Sequence, residues 1–188
     1  MRWASVGVDP DSPHTLQTKG VITLGGPAIV QPFSVYGYGE VVYGKNVFVA
    51  EHAFFSFPSP GSRVTIGDNT QVGRFFGASC ALDITIGHSC LIGERVFIAD
   101  VGHAYDDPHK PILISGMTSP KAVRIGDDVL IGVGTFIGPG VTVGNHVMIG
   151  ANSVVVKDVP NYSVVAGNPA RIIKMFDFTT GVWTRYFD

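Results

Sequence analysis

Histidine is the side chain best suited to move a proton near neutral pH, and this chain of 188 residues carries six. His14, His52, His88 and His146 are scattered. His103 and His109 instead share one segment, ADVGHAYDDPHKPILISGMTSPKAVR, together with Asp100, Asp106 and Asp107. A loop imidazole can act as a general base, and a carboxylate or carbonyl on its far nitrogen can fix the tautomer. Asp100 is the nearest carboxylate for that task. Zinc chemistry would ask for ligand histidines closely spaced on repeating faces, such as a pair five residues apart. His103 and His109 are six apart within a loop. His88 and His146 read as solvent-facing corner residues. The two cysteines, Cys80 and Cys90, are too few for a disulfide framework in a chain of this length and read as small buried apolar side chains.

The elements that must hold these groups follow from a six-residue period. Ile125, Ile131, Ile137, Val143, Ile149 and Val155 recur six apart, and Gly126, Gly132, Gly138, Gly144 and Gly150 follow the first five. A helix of 3.6 residues per turn drifts off such a period. Six residues suit one short strand and one tight corner. Three such sides, about 18 residues, close a triangular coil, and coils stack about 4.8 Å apart as parallel strands. The aliphatic residue points inward, and glycine lets the corner form without a Cβ clash. Such a solenoid is stabilised by contacts between neighbouring coils.

The period also runs through Ile86, Ile92 and Ile98, through Ile66 and Val72, and in degenerate form through Tyr43 and Val49. The spacing of fourteen between Val72 and Ile86 predicts a bulge or longer corner. The spacing of twenty-seven between Ile98 and Ile125 predicts a loop over 99–124 that leaves the prism, and long loops on compact scaffolds carry function. We therefore expect an irregular N-terminal cap over 1–40, a β-helix over 41–175 and a C-terminal tail over 176–188. The aromatics of the closing FDFTTGVWTRYFD are expected to cover the apolar end of the last coil.

Composition narrows the function. Charged residues are 15% of the chain and the net charge is -2, which gives no basis for a nucleic-acid surface. No apolar run is long enough for a membrane span, and the N-terminus lacks a signal-peptide pattern, so a cytoplasmic protein is expected.

The array resembles the hexapeptide-repeat acyltransferases, including the maltose and galactoside O-acetyltransferases and those of surface-polysaccharide synthesis. The specific parts are the His-bearing FIADVGHAYDDPHKPI, the regular repeats and the ending IGANSVVVKDVPNYSVVAGNPARIIK. The resemblance implies an all-β, left-handed parallel β-helix with one extended loop and a short C-terminal cap. The general preference for right-handed crossovers would predict the opposite hand. It further implies a homotrimer, acetyl-CoA as donor in a groove between prisms, and no metal. His103 becomes the base that deprotonates an acceptor hydroxyl, most simply that of a sugar. Asp83 resembles an acidic acceptor-binding position, although it lies two residues closer to the next Ile-Gly than in the family pattern. The donor positions carry over to Val133 and Ala151 along the groove, Val156 and Lys157 beyond them, and Arg171. Lys157 and Arg171 suit phosphate. Leu130 and Val156 stand where sugar acetyltransferases often have Trp and Thr. The competing readings are an amino acceptor, a γ-type carbonic anhydrase and a non-catalytic solenoid.

Overall fold

The computed structural model describes residues 21–24, 28–30 and 33–186. Short strands wind around a three-sided prism. The first coil has β1 (Val21–Leu24), β2 (Ala28–Val30) and β3 (Ser34–Gly37), and the second β4 (Glu40–Tyr43), β5 (Val47–Val49) and β6 (Phe54–Phe57). The third has β7 (Arg63–Ile66), β8 (Gln71–Val72) and β9 (Gly77–Ser79), and the fourth β10 (Asp83–Ile86), β11 (Leu91–Ile92) and β12 (Phe97–Ala99). After the loop come β13 (Val123–Ile125), β14 (Leu130–Ile131) and β15 (Phe136–Ile137), then β16 (Thr142–Val143), β17 (Met148–Ile149) and β18 (Val154–Val155). The chain closes with β19 (Ser163–Gly167), β20 (Ala170–Asp177) and β21 (Val182–Arg185). Every third strand pairs in parallel as far as β18, and β19 then pairs with β17. Face A stacks β1, β4, β7, β10, β13 and β16; face B stacks β2, β5, β8, β11, β14, β17 and β19; face C stacks β3, β6, β9, β12, β15 and β18. The molecule is a left-handed parallel β-helix.

The repeat can be followed side chain by side chain. In the coil opening at Ile125, the inward residues are Ile125, Val129, Ile131, Thr135, Ile137, Val141 and Val143, all buried, while Leu130, Phe136 and Thr142 point out. Registered pairing stacks Ile86 on Ile125 and Ile125 on Val143, so each aliphatic contacts its equivalents above and below. Removing one such side chain by Ile→Ala costs about 2–5 kcal/mol.

The corners refine the reading of glycine. At the corner from face A to face B the left-handed residue is Asn46, Asn69, Ser89, Asp128, His146 or Tyr162, with φ between 53° and 59°. From face B to face C it is His52, Phe75, Arg95, Gly134 or Asn152. These positions lie two residues after the repeat glycine, except that Ala50 takes its place before His52 and Pro160 before Tyr162. That glycine serves close approach instead: a Cβ on Gly132 would meet the Ala151 backbone nitrogen at 2.4 Å. From β4 onward, only the third corner, from face C to face A, varies in length. It holds the Pro58–Gly61 turn, the longer 80–82 corner that absorbs the fourteen-residue spacing, and the loop between β12 and β13.

A ladder of side-chain acceptors binds successive coils at the A-to-B corner. Asp68 Oδ1 accepts the Lys45 N–H, His88 Nδ1 the Asp68 N–H and Asp127 Oδ1 the His88 N–H. Asn145 and Asn161 continue it to Asp127 and Asn145. His88 is thus a rung as well as an exposed corner residue.

At the two ends the structure differs from the sequence reading. Strands β1 to β3 already belong to the three sheets, so the prism extends N-terminal to residue 41, through strands whose period is too degenerate to read. Residues 1–20 lie outside the described residues. At the C-terminus, β20 and β21 add antiparallel strands to face B. Ala170 and Ile172 pack on the core, whereas Phe176, Phe178 and Trp183 gather with Tyr162 and His146 at the A-to-B corner.

Candidate active site

His103 lies on the loop that interrupts the third corner between β12 and β13. Backbone pairing forms the neck of the loop: the Thr118 N–H donates to the Gly102 carbonyl at 2.8 Å, and the Ala104 N–H to the Gly116 carbonyl at 3.0 Å. Thr118 Oγ1 also accepts the Gly102 N–H at 3.0 Å. His103 and Met117 face each other across this neck in an antiparallel bridge. The imidazole is exposed and has no hydrogen bond or ion pair among the described residues. Thr118 was missed by sequence reasoning, because fourteen residues of aperiodic loop separate it from His103.

Asp100 does not hold the His103 tautomer in this chain. Its side chain is wholly buried, and its carboxylate accepts the backbone N–H groups of Ala81, Leu82 and Asp83 at 2.7, 2.8 and 2.8 Å. The reason is local. The long 80–82 corner leaves N–H donors without ladder partners, and a carboxylate one coil above meets them. Cys80 lies beside it, with Sγ 3.5 Å from Asp100 Oδ2. Burial, with the adjacent carboxylate, pushes the Cys80 thiol well above its ordinary range, and burial raises Cys90 as well. Neither thiol is a nucleophile at neutral pH.

Asp83 leads out of the same corner, at the start of β10. Its carboxylate is paired with Arg124 and accepts from Thr85 Oγ1 at 3.4 Å. The side chain remains 28% exposed.

The donor positions fall into two groups. Val133 and Ala151 are stacked on the B-to-C corner, where the Asn152 N–H donates to the Val133 carbonyl at 2.8 Å. Val156 and Lys157 lie on the C-to-A corner, the edge from which the His103 loop leaves, two coils further along and therefore about 10 Å along the axis. Lys157, Val156 and Arg171 line one cavity of about 190 Å³ with Asp158 and Tyr186. The width of face C separates the two groups, and its outer surface carries Phe54, Phe97 and Phe136, with the last two stacked at 6.3 Å. A larger hollow of about 570 Å³ lies on face B, over Leu91, Leu130, Met148 and Trp183. Among the described residues no group of three His, Cys, Asp or Glu side chains is placed to hold a metal ion, and no helix is long and apolar enough to cross a membrane.

This geometry can be set against known proteins. The family model described as bacterial transferase hexapeptide (six repeats) matches residues 122–157. An Escherichia coli K12 protein assigned to lipopolysaccharide biosynthesis as an O-acetyl transferase is 36% identical over 128 residues, covering 65% of each chain. A Mycobacterium tuberculosis protein assigned as a probable acetyltransferase is 30% identical over 168 residues, 87% of this chain and 52% of its own. Among solved structures, the hexapeptide-repeat containing acetyltransferase of Vibrio cholerae has a TM-score of 0.56 at 34% identity over 61% of this chain and 63% of its own. The polySia-specific acetyltransferase NeuO has a TM-score of 0.60 at 26% identity, with 89% and 86% covered. The chain spans about half to two thirds the length of the curated relatives it matches. It is a left-handed β-helix whose residues 122–157 match the bacterial transferase hexapeptide, and its sequence is similar to those of proteins assigned as acetyltransferases.

Proposed function

We propose that the protein is an acetyl-CoA-dependent O-acetyltransferase whose acceptor is a sugar hydroxyl, with His103 as general base. The observation that carries this reading is the placement of His103. An exposed imidazole with no hydrogen bond or ion pair among the described residues stands on the only long loop of the described prism, on the same edge as Lys157. An alcohol must lose its proton as it attacks the thioester carbonyl, and a neutral imidazole takes that proton near its own pKa. The tetrahedral product then collapses and expels the coenzyme A thiolate, which leaves with the proton. Acetyl-CoA is also the ligand named in a solved complex of the Vibrio cholerae relative, which is 26% identical to this chain in that comparison.

The split donor positions lead to the oligomer. One chain offers Val133 and Ala151 on one edge and Val156, Lys157 and Arg171 on another. A trimer in which the B-to-C edge of one copy meets the C-to-A edge of the next would bring both groups to one groove. The exposed stripe of Leu91, Leu130 and Met148 on face B supports association. Asp83, still partly exposed below the loop, is assigned to the acceptor.

A thioester-release assay with acetyl-CoA against nucleotide sugars, oligosaccharides and amino sugars tests the reading. His103→Ala is expected to lower kcat by at least about 10²-fold with coenzyme A binding retained. A loss below about tenfold would overturn the base assignment, and release with amino sugars alone would overturn the hydroxyl acceptor.

A further inference from the structure

Resting on that reading, we infer that Asp100 is a positioning residue, which sets the His103 loop and the Asp83 corner in one fixed relation without touching either reacting group.

The geometry gives Asp100 three attachments. Its carboxylate gathers the N–H groups of Ala81, Leu82 and Asp83, the last belonging to the assigned acceptor residue itself. Its backbone N–H donates to the Ser79 carbonyl at 3.1 Å, which continues the stacking of β9 and β12. Its carbonyl accepts the Lys121 N–H at 2.7 Å, tying the exit of the loop to its return. His103 follows three residues later, and the Gly102–Thr118 pair closes the neck between them. A buried carboxylate with no cation beside it is unfavourable unless hydrogen bonds satisfy it. Here three N–H groups of the longer corner do so, and that corner would otherwise hold unpaired donors.

The chemical consequence concerns distance. Base catalysis requires the imidazole within hydrogen-bond reach of the acceptor hydroxyl. The acceptor is held from the 80–83 corner and the base from the loop, two segments about twenty residues apart in sequence. Asp100 is the side chain that fixes one to the other. In Asp100→Asn the amide NH2 faces backbone N–H donors in place of an acceptor oxygen. The corner and the loop then settle independently, and small misplacements of reacting groups cost up to about 10²-fold in rate.

The test is a double-mutant cycle on the full chain. Asp100→Asn should lower kcat by about 10- to 100-fold and raise the acceptor KM, with the acetyl-CoA KM and the dissociation constant for coenzyme A unchanged within twofold. In the His103→Ala background the same substitution should cost little further, because the base it positions is gone. Thr118→Val, which loosens the neck without entering the core, should reproduce the kcat loss with an unchanged melting temperature and covers the case in which Asp100→Asn fails to fold. Full additivity of Asp100→Asn with His103→Ala, or loss of stability with kcat intact in both single variants, would overturn the inference. Failure of the base assignment would register separately, as activity retained in His103→Ala alone.

Discussion

At the scale of the residue, what distinguishes this site is the contrast between a free imidazole and carboxylates that are already engaged. The His103 ring is free among the described residues, while Asp100 beside it in sequence is fully committed elsewhere. Sequence proximity paired the two, and three dimensions separate them: the direction of a carboxylate is set by the donors it meets, here on a corner nearly twenty residues earlier. No pattern in the sequence exposes that corner beyond the two surplus residues between Val72 and Ile86. Lys157 and Arg171, in contrast, line one cavity. Under the proposed reading they meet the donor's phosphates, so alanine at either should raise the KM for acetyl-CoA about tenfold with kcat unchanged. The effect should shrink at high salt. Acetyl-pantetheine, which lacks the nucleotide, should be insensitive to both substitutions. Equal KM increases for the two donors would argue against phosphate contacts.

Corners and strands form the next scale, where the sequence was most legible. Ile125 to Val155 could be read as inward stacks because one face of every strand must be apolar and every coil repeats it. The left-handed corner residues could not, since all but Gly134 are Asn, His, Phe, Arg, Asp, Ser and Tyr. Their conformation is supported by the coil above and below, which no local pattern records. The acceptor ladder makes this testable at His88, whose Nδ1 takes the Asp68 N–H. His88→Asn keeps an acceptor of the kind found at Asn145 and Asn161 and should leave stability within about 0.5 kcal/mol. His88→Ala removes the acceptor and should cost about 1 kcal/mol by denaturant unfolding. Equal stability of the two variants would mean that solvent replaces the rung at no cost.

For the whole molecule, the decisive feature is that from β4 onward two corners are uniform and the third is not. Contacts run between adjacent coils, so stability accrues locally along the axis. An insertion at a uniform corner interrupts hydrogen bonds to the coils on both sides, whereas one at the third corner lengthens a turn whose closure cost grows slowly with length. Four Gly/Ser residues placed after Pro60, next to the open Gly61, should change the melting temperature by no more than a few degrees. The same insertion after Asp127 should lower it far more or prevent folding. Similar losses at both sites would show that the third corner is as constrained as the others. The free edge has a consequence for diversification. Because the rod tolerates growth along a single seam, a new acceptor pocket can be fashioned there from longer or shorter segments while the stacked triangle, and whatever donor it accommodates, is left as it stands.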